Sequence, residues 1–201
     1  MRKLLSISPG IVELAIDGQS ISEAQMAKYL KELPTAQLKT LSLINFNRLS
    51  HDTLGCFSRL FRHHGQNYIM RVLAAIQRNP YIETLTLGRE FTSLYKNEDD
   101  KDNRYFVTFN NFLYFRSLKE LIIDNWGWEP RVFNSLQTYL TDPNCKLEIL
   151  ELKRGLNADE IKKLKEVMER SPSLKTYRGP AQEEIQPLLN VKNSTLYPTL
   201  S

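Results

Sequence analysis

The chain has 201 residues, 41% of them apolar, and a formal charge of +4 from 27 basic and 23 acidic side chains. That is enough apolar material to bury a continuous core without disulfides, and the two cysteines, Cys56 and Cys145, stand far apart, as reduced thiols of a cytosolic protein would. No window holds the ~20 apolar residues of a membrane-spanning helix, and a modest charge scattered along the chain excludes the dense basic stripe of a nucleic-acid reader.

Residues 1–10 read as an amino-terminal cap. Leu5 and Ile7 alternate, and Ser8-Pro9-Gly10 turns the chain toward a first strand. The start Met1-Arg2-Lys3-Leu4-Leu5 has the beginnings of a signal peptide, but Pro9, Gly10 and Glu13 interrupt the apolar run and no small-residue cleavage site follows, so no Sec export is expected. From residue 11 a pattern sets in, an apolar residue followed three and five positions later by two more: Ile11/Leu14/Ile16, then Leu38/Leu41/Leu43, Ile82/Leu85/Leu87, Leu118/Leu121/Ile123, Leu147/Leu150/Leu152, and a worn copy at Leu174/Tyr177/Gly179. The alternating pair in each copy puts two side chains on one face of a strand, and a single such strand cannot bury that face alone.

Between copies the apolar period lengthens to that of a helix. Ser22 and Gln25 have capping-box spacing before Met26, Ala27, Leu30 and Leu33, with Pro34 as the stop. The second interval is long: 44 residues separate Leu38 from Ile82, against 27 between Ile11 and Leu38. It holds one helical pattern at Leu54, Phe57, Leu60 and Phe61, ended by Gly65, and another at Ile69, Val72, Leu73 and Ile76, ended by Asn79-Pro80. The third interval carries an exposed polar loop, 97–103, and then an aromatic run, Tyr105, Phe106, Phe109, Phe112, Leu113, Tyr114 and Phe115, spaced for a helix buried on more than one side. Insertions thus fall near 51–67 and 95–105. Pro130 suits a first helical position ahead of Val132, Phe133, Leu136, Tyr139 and Leu140. Asn157 and Glu160 form another capping box before Ile161, Leu164, Val167 and Met168. After Gly179-Pro180 periodicity stops, and 181–201, with Pro187 and Pro198, reads as an extended or disordered tail.

Strand, helix, strand at this cadence resembles the leucine-rich repeat (LRR) proteins, and the helix-containing repeats are similar to the ribonuclease-inhibitor type. The resemblance covers 11–180 in about six repeats. It implies an α/β solenoid, a horseshoe arc with a parallel β-sheet on its concave side and helices on its convex side. The position after each strand where that family carries Asn is filled here by Gln19, Phe46, Glu90, Trp126 and Gly155, so its asparagine ladder is absent and regular curvature is not expected.

Catalytic constellations are missing: there is no glycine-rich phosphate loop, no G-x-S-x-G turn and no H-E-x-x-H helix. His51, Cys56, His63 and His64 match no zinc spacing, and Cys56 lies badly placed for activation by His51. An enzyme, a cofactor, a metal and a small-molecule substrate are therefore not expected. The surface left to consider is the one that the repeats themselves build. Flanking the inward apolar residues are three rows: Glu13, Thr40, Thr84, Glu120, Ile149, Thr176; Ala15, Ser42, Thr86, Ile122, Glu151, Arg178; and Asp17, Ile44, Gly88, Asp124, Lys153. Six parallel strands at about 4.8 Å spacing would span roughly 24 Å, room for a helix or loop of a protein partner. Each threonine or isoleucine in the rows also has a plain reading as a good strand former. Trp126 falls on a core position, and Trp128 falls on the next core position or on the rim beside Asp124, where it would be an anchor for a partner.

A competing surface is the basic cluster Arg59, Arg62, Arg71 and Arg78, which would suit an anionic lipid or a nucleic acid, although a solvated helix face explains the same residues. Neither nucleic acid nor membrane is the expected partner, and the chain is expected to act as a monomer. A short, irregular LRR chain without a leader resembles the LRR effectors that intracellular bacterial pathogens deliver into host cells. Glu183-Glu184 followed by a Ser/Thr/Asn-rich end through Leu196 and Leu200 is similar to type IV secretion signals. A eukaryotic cytosolic LRR adaptor is the other setting the resemblance allows, without an F-box-like leader or a ligase domain in this chain.

Overall fold

The computed structural model describes residues 12–17, 28–29, 37–44, 76–88, 112–113, 115, 117–124 and 130–196, the ends 130–132 and 194–196 as backbone only. The described residues hold six strands: β1 (Glu13–Asp17), β2 (Thr40–Ile44), β3 (Thr84–Leu87), β4 (Glu120–Ile123), β5 (Ile149–Leu152) and β6 (Thr176–Arg178). They form one sheet in chain order, every neighbouring pair parallel. Three helices belong to the described residues: α1 (Pro130–Thr141), α2 (Ala158–Arg170) and α3 (Gln182–Leu196). The protein is an α/β protein with an open, all-parallel sheet.

Register follows the apolar pattern. Leu14, Leu41, Leu85, Leu121, Leu150 and Tyr177 are partners in one line across the sheet, and Ile16, Leu43, Leu87, Ile123 and Leu152 in a second. From β2 onward these side chains are buried, and a one-residue slip of any strand would turn both onto the other face. The leading residues Leu38, Ile82, Leu118, Leu147 and Leu174 are buried as well. A repeated backbone device starts the pairing: the carbonyls of Val12, Lys39, Glu83, Lys119 and Glu148 each accept two N–H bonds, at 2.8–3.1 Å, from consecutive residues of the next copy.

The buried strand residues share one apolar cluster with those of the helices, so the helices cover that side of the sheet. On α1, Phe133, Leu136, Tyr139 and Leu140 are buried, one helical stripe, and Pro130 stands at its first position. On α2, Leu164, Val167 and Met168 are buried while Ile161 is half-exposed. Its start is a complete capping box: the Asn157 side chain accepts from the Glu160 N–H at 2.9 Å and Glu160 Oε2 accepts from the Asn157 N–H at 2.9 Å. Arg154 Nη2 lies 2.9 Å from both oxygens of the same carboxylate, which pins the box to the end of β5. Cys145 is free and buried, and burial pushes its thiol up from the usual range, which suits a packing residue and not a nucleophile.

The carboxy-terminal segment departs from expectation. Residues 182–196 form α3, and not an extended tail. The physical reason is the sheet edge. β6 is the last strand, and its free N–H and C=O groups need partners. Gln186 supplies them with one side-chain amide: its Oε1 accepts from the Tyr177 N–H at 2.8 Å and its Nε2 donates to the Lys175 carbonyl at 3.1 Å. Ile185 and Leu189, fully buried, hold that face of α3 down, and Glu184 pairs with Lys165 of α2. Pro187 sits inside the helix, a position that lacks one backbone donor. In the turn before α3 the worn repeat explains itself. Gly179 has φ +143°, and a Cβ there would lie 2.5 Å from the Leu152 carbonyl oxygen, so no leucine could stand at this copy's last position.

Of the aromatic run, Phe112 and Leu113 form a 3₁₀ turn; Phe112 and Phe115 are buried, their ring centroids 4.9 Å apart, and Phe112 also meets Tyr139 of α1 at 5.9 Å. The rest of the helix expected there, the cap at 1–10, the insertions near 51–67 and 95–105, and the residues after 196 lie outside the described residues.

Candidate binding face of the sheet

The period-2 alternation that buries the leucines leaves the intervening side chains on the opposite face. Pairing aligns them as the sequence arranges them. Glu13, Thr40, Thr84, Glu120, Ile149 and Thr176 are successive partners, as are Ala15, Ser42, Thr86, Ile122, Glu151 and Arg178. The third row begins with the pair Asp17 and Ile44 and continues through backbone bonds from Gly88, Asp124 and Lys153 to the strand before each. Apart from buried Gly88, every member is half-buried or exposed. One face thus presents a ribbon of hydroxyl, carboxylate and isoleucine side chains across six strands.

The ribbon is electrostatically uneven. Toward β6 it is tied together by its own ions. Arg178 Nη1 reaches over β5 to Glu120 Oε1 at 2.9 Å and also lies 3.6 Å from Glu151 Oε2, while Lys153 Nζ lies 3.9 Å from Glu151 Oε1. The other oxygen of Glu120 accepts from the Thr84 hydroxyl at 3.1 Å, so this carboxylate is fixed from both sides. The acidic residues Glu13 and Asp17 stand at the opposite end, on β1, and Asp124 follows β4.

One ordered feature is not among the expectations drawn from the sequence. The residue after each leading apolar position forms a row just before the strands, Lys39, Glu83, Lys119, Glu148 and Lys175, alternating in sign throughout. Lys119 pairs with Glu83 at 3.6 Å and Lys175 with Glu148 at 3.0 Å. The signal was present as a sign change from copy to copy at a fixed motif position. These pairs are exposed and of the kind worth ~0–1 kcal/mol each, so they favour neighbour order more than they add stability.

Among the described residues no three His, Cys, Asp or Glu side chains come together as a metal site, and no helix is long and apolar enough to cross a membrane. A shallow hollow of about 460 Å³ lies along α3, lined by Gln182, Glu183, Gln186, Pro187 and Asn190. Of the basic cluster, only Arg78 is described, and it is exposed beside the Asn79-Pro80 turn; Arg59, Arg62 and Arg71 lie outside the described residues, as do Trp126, Trp128, Cys56 and the three histidines. No protein-family model matches the chain, and no curated protein matches its sequence.

Proposed function

We propose that this chain is a non-enzymatic protein-binding module of the LRR type, a solenoid whose sheet lines the hollow of an arc and takes a partner on the open face. The observation that carries the proposal is the pairing of six parallel strands in chain order and in register, with one face sealed by leucines and the other left mixed and half-exposed. Such a surface combines hydrogen-bonding groups, carboxylates and apolar spots at Ile44, Ile122 and Ile149, the composition that protein recognition uses. Nothing in it prepares a nucleophile or a phosphate cradle. The setting that goes with this reading is the cytosol, and by the resemblance of the chain's end to type IV signals, the cytosol of a host cell in which the protein acts as a translocated effector.

The test is a pull-down from host-cell lysate with the intact chain, its Thr86→Arg and Ile122→Glu variants, and Arg78→Glu. A protein captured by the wild type and by Arg78→Glu but lost from both face variants supports the proposal. Equal recovery by face variants and wild type overturns it. Loss with Arg78→Glu, together with a steep fall of binding in added salt, would move the site to the basic cluster.

A further inference from the structure

We infer that the partner offers the sheet a cationic segment, arginine or lysine set among apolar residues, and that Arg178 stands in the place of one of its basic side chains in the free protein. This rests on the open face being the binding surface. Three observations carry it further. The first is charge: among the three rows, five acids (Glu13, Asp17, Glu120, Asp124, Glu151) face two bases (Lys153, Arg178), net −3, on a chain whose whole charge is +4. The face therefore opposes the rest of the molecule in sign and attracts a basic segment.

The second is that the face already holds a guanidinium. Arg178 ends β6, beside Gly179, and its side chain crosses β5 to bridge carboxylates on two other strands, Glu120 and Glu151. The two acids are the shielded members, 20% and 22% exposed, and the arginine is the open one, at 47%. A cation exposed to that extent is held weakly, so another cation can replace it at small cost, while Glu120 stays aimed by the Thr84 hydroxyl. The third is the setting of these carboxylates. Ile122 and Ile149 share their rows and lie on the same two strands, β4 and β5, so the aliphatic stem of an incoming lysine or arginine has apolar surface to cover while its head reaches an acid.

A random-peptide phage library panned against the intact, immobilised chain tests this, with a Thr86→Trp variant to block the face by bulk and thermal melting to show that each variant is folded. Peptides enriched in Lys and Arg between apolar residues are expected, displaced by Thr86→Trp and weakened by salt. Arg178→Gln should tighten them roughly two- to fivefold by removing the competing cation, and Glu120→Gln with Glu151→Gln should weaken them by at least as much. Peptides that Thr86→Trp excludes but that have no basic bias, or that Arg178→Gln leaves unchanged or weaker, overturn the inference and leave the face as the binding surface. Peptides indifferent to Thr86→Trp, or no enrichment at all, overturn the inference as well, and indifference also counts against the face itself.

Discussion

The two faces of the sheet come from the same residues read in alternation, yet they answer to different physics. On one face Leu41, Leu85, Leu121, Leu150 and Tyr177 are 0% exposed and run in a single line. On the other, their immediate neighbours Thr40, Thr84, Glu120, Ile149 and Thr176 are half-open, and their ion pairs lie at the surface. Burial of apolar area fixes the strands' register, whereas the open face contributes little to that decision and is free to vary. The difference teaches where to look for each property: stability on the leucine side, and the proposed recognition on the other.

The contrast breaks if substitutions on the two sides cost alike. The largest loss is expected at the leucine line, where Leu121→Ala leaves a cavity among residues packed on all sides and should destabilise by about 2–5 kcal/mol in urea unfolding. Next comes the turn that ends the sheet. Gly179→Ala places a methyl group against the Leu152 carbonyl and puts alanine at φ +143°, a cost of about 1–3 kcal/mol read as a lowered Tm. Smaller again is Gln186→Ala, which leaves the Tyr177 N–H and Lys175 carbonyl at the edge of β6 without their partner, about 1–2 kcal/mol, with faster amide exchange in β6 as a second readout. A pH series sharpens the same contrast. Burial raises the hydroxyl pKa of Tyr139 and of Tyr177, so the folded protein keeps protons that the unfolded chain releases near pH 10. Their contribution is whole below that pH and falls as pH rises through and beyond it; Tyr139→Phe should flatten the alkaline decline.

Much of the leucine side was legible in the sequence, because alternation and copy number are local signals. Pro130 at a helix start and Asn157 with Glu160 were legible for the same reason: a cap is written within four residues. α3 was not. Among its described side chains only Ile185 and Leu189 are buried, it contains Pro187, and what holds Gln186 in place is an unpaired strand edge, a tertiary partner that no local window contains. On the open face the rows could be written down in advance, since they follow from the spacing. The bridge from Arg178 to Glu120 could not, because those residues are 58 apart and reach each other across an intervening strand, which demands both register and side-chain length.

That bridge gives the smallest expected effect and the sharpest division between the faces. Arg178→Gln and Glu120→Gln should each change stability by ~0–1 kcal/mol, since a half-exposed arginine is screened by water and ordering its side chain costs entropy. A double-mutant cycle on the two, followed by urea unfolding at low and at high salt, measures their coupling directly. Coupling within that range, shrinking with salt, is the outcome expected of a surface pair that can be exchanged for another cation. Coupling of several kcal/mol, insensitive to salt, would mean that Arg178 holds the sheet together as the leucines do. In that case the open face would not be free for recognition at its β4–β6 end, and its specificity would have to reside nearer β1.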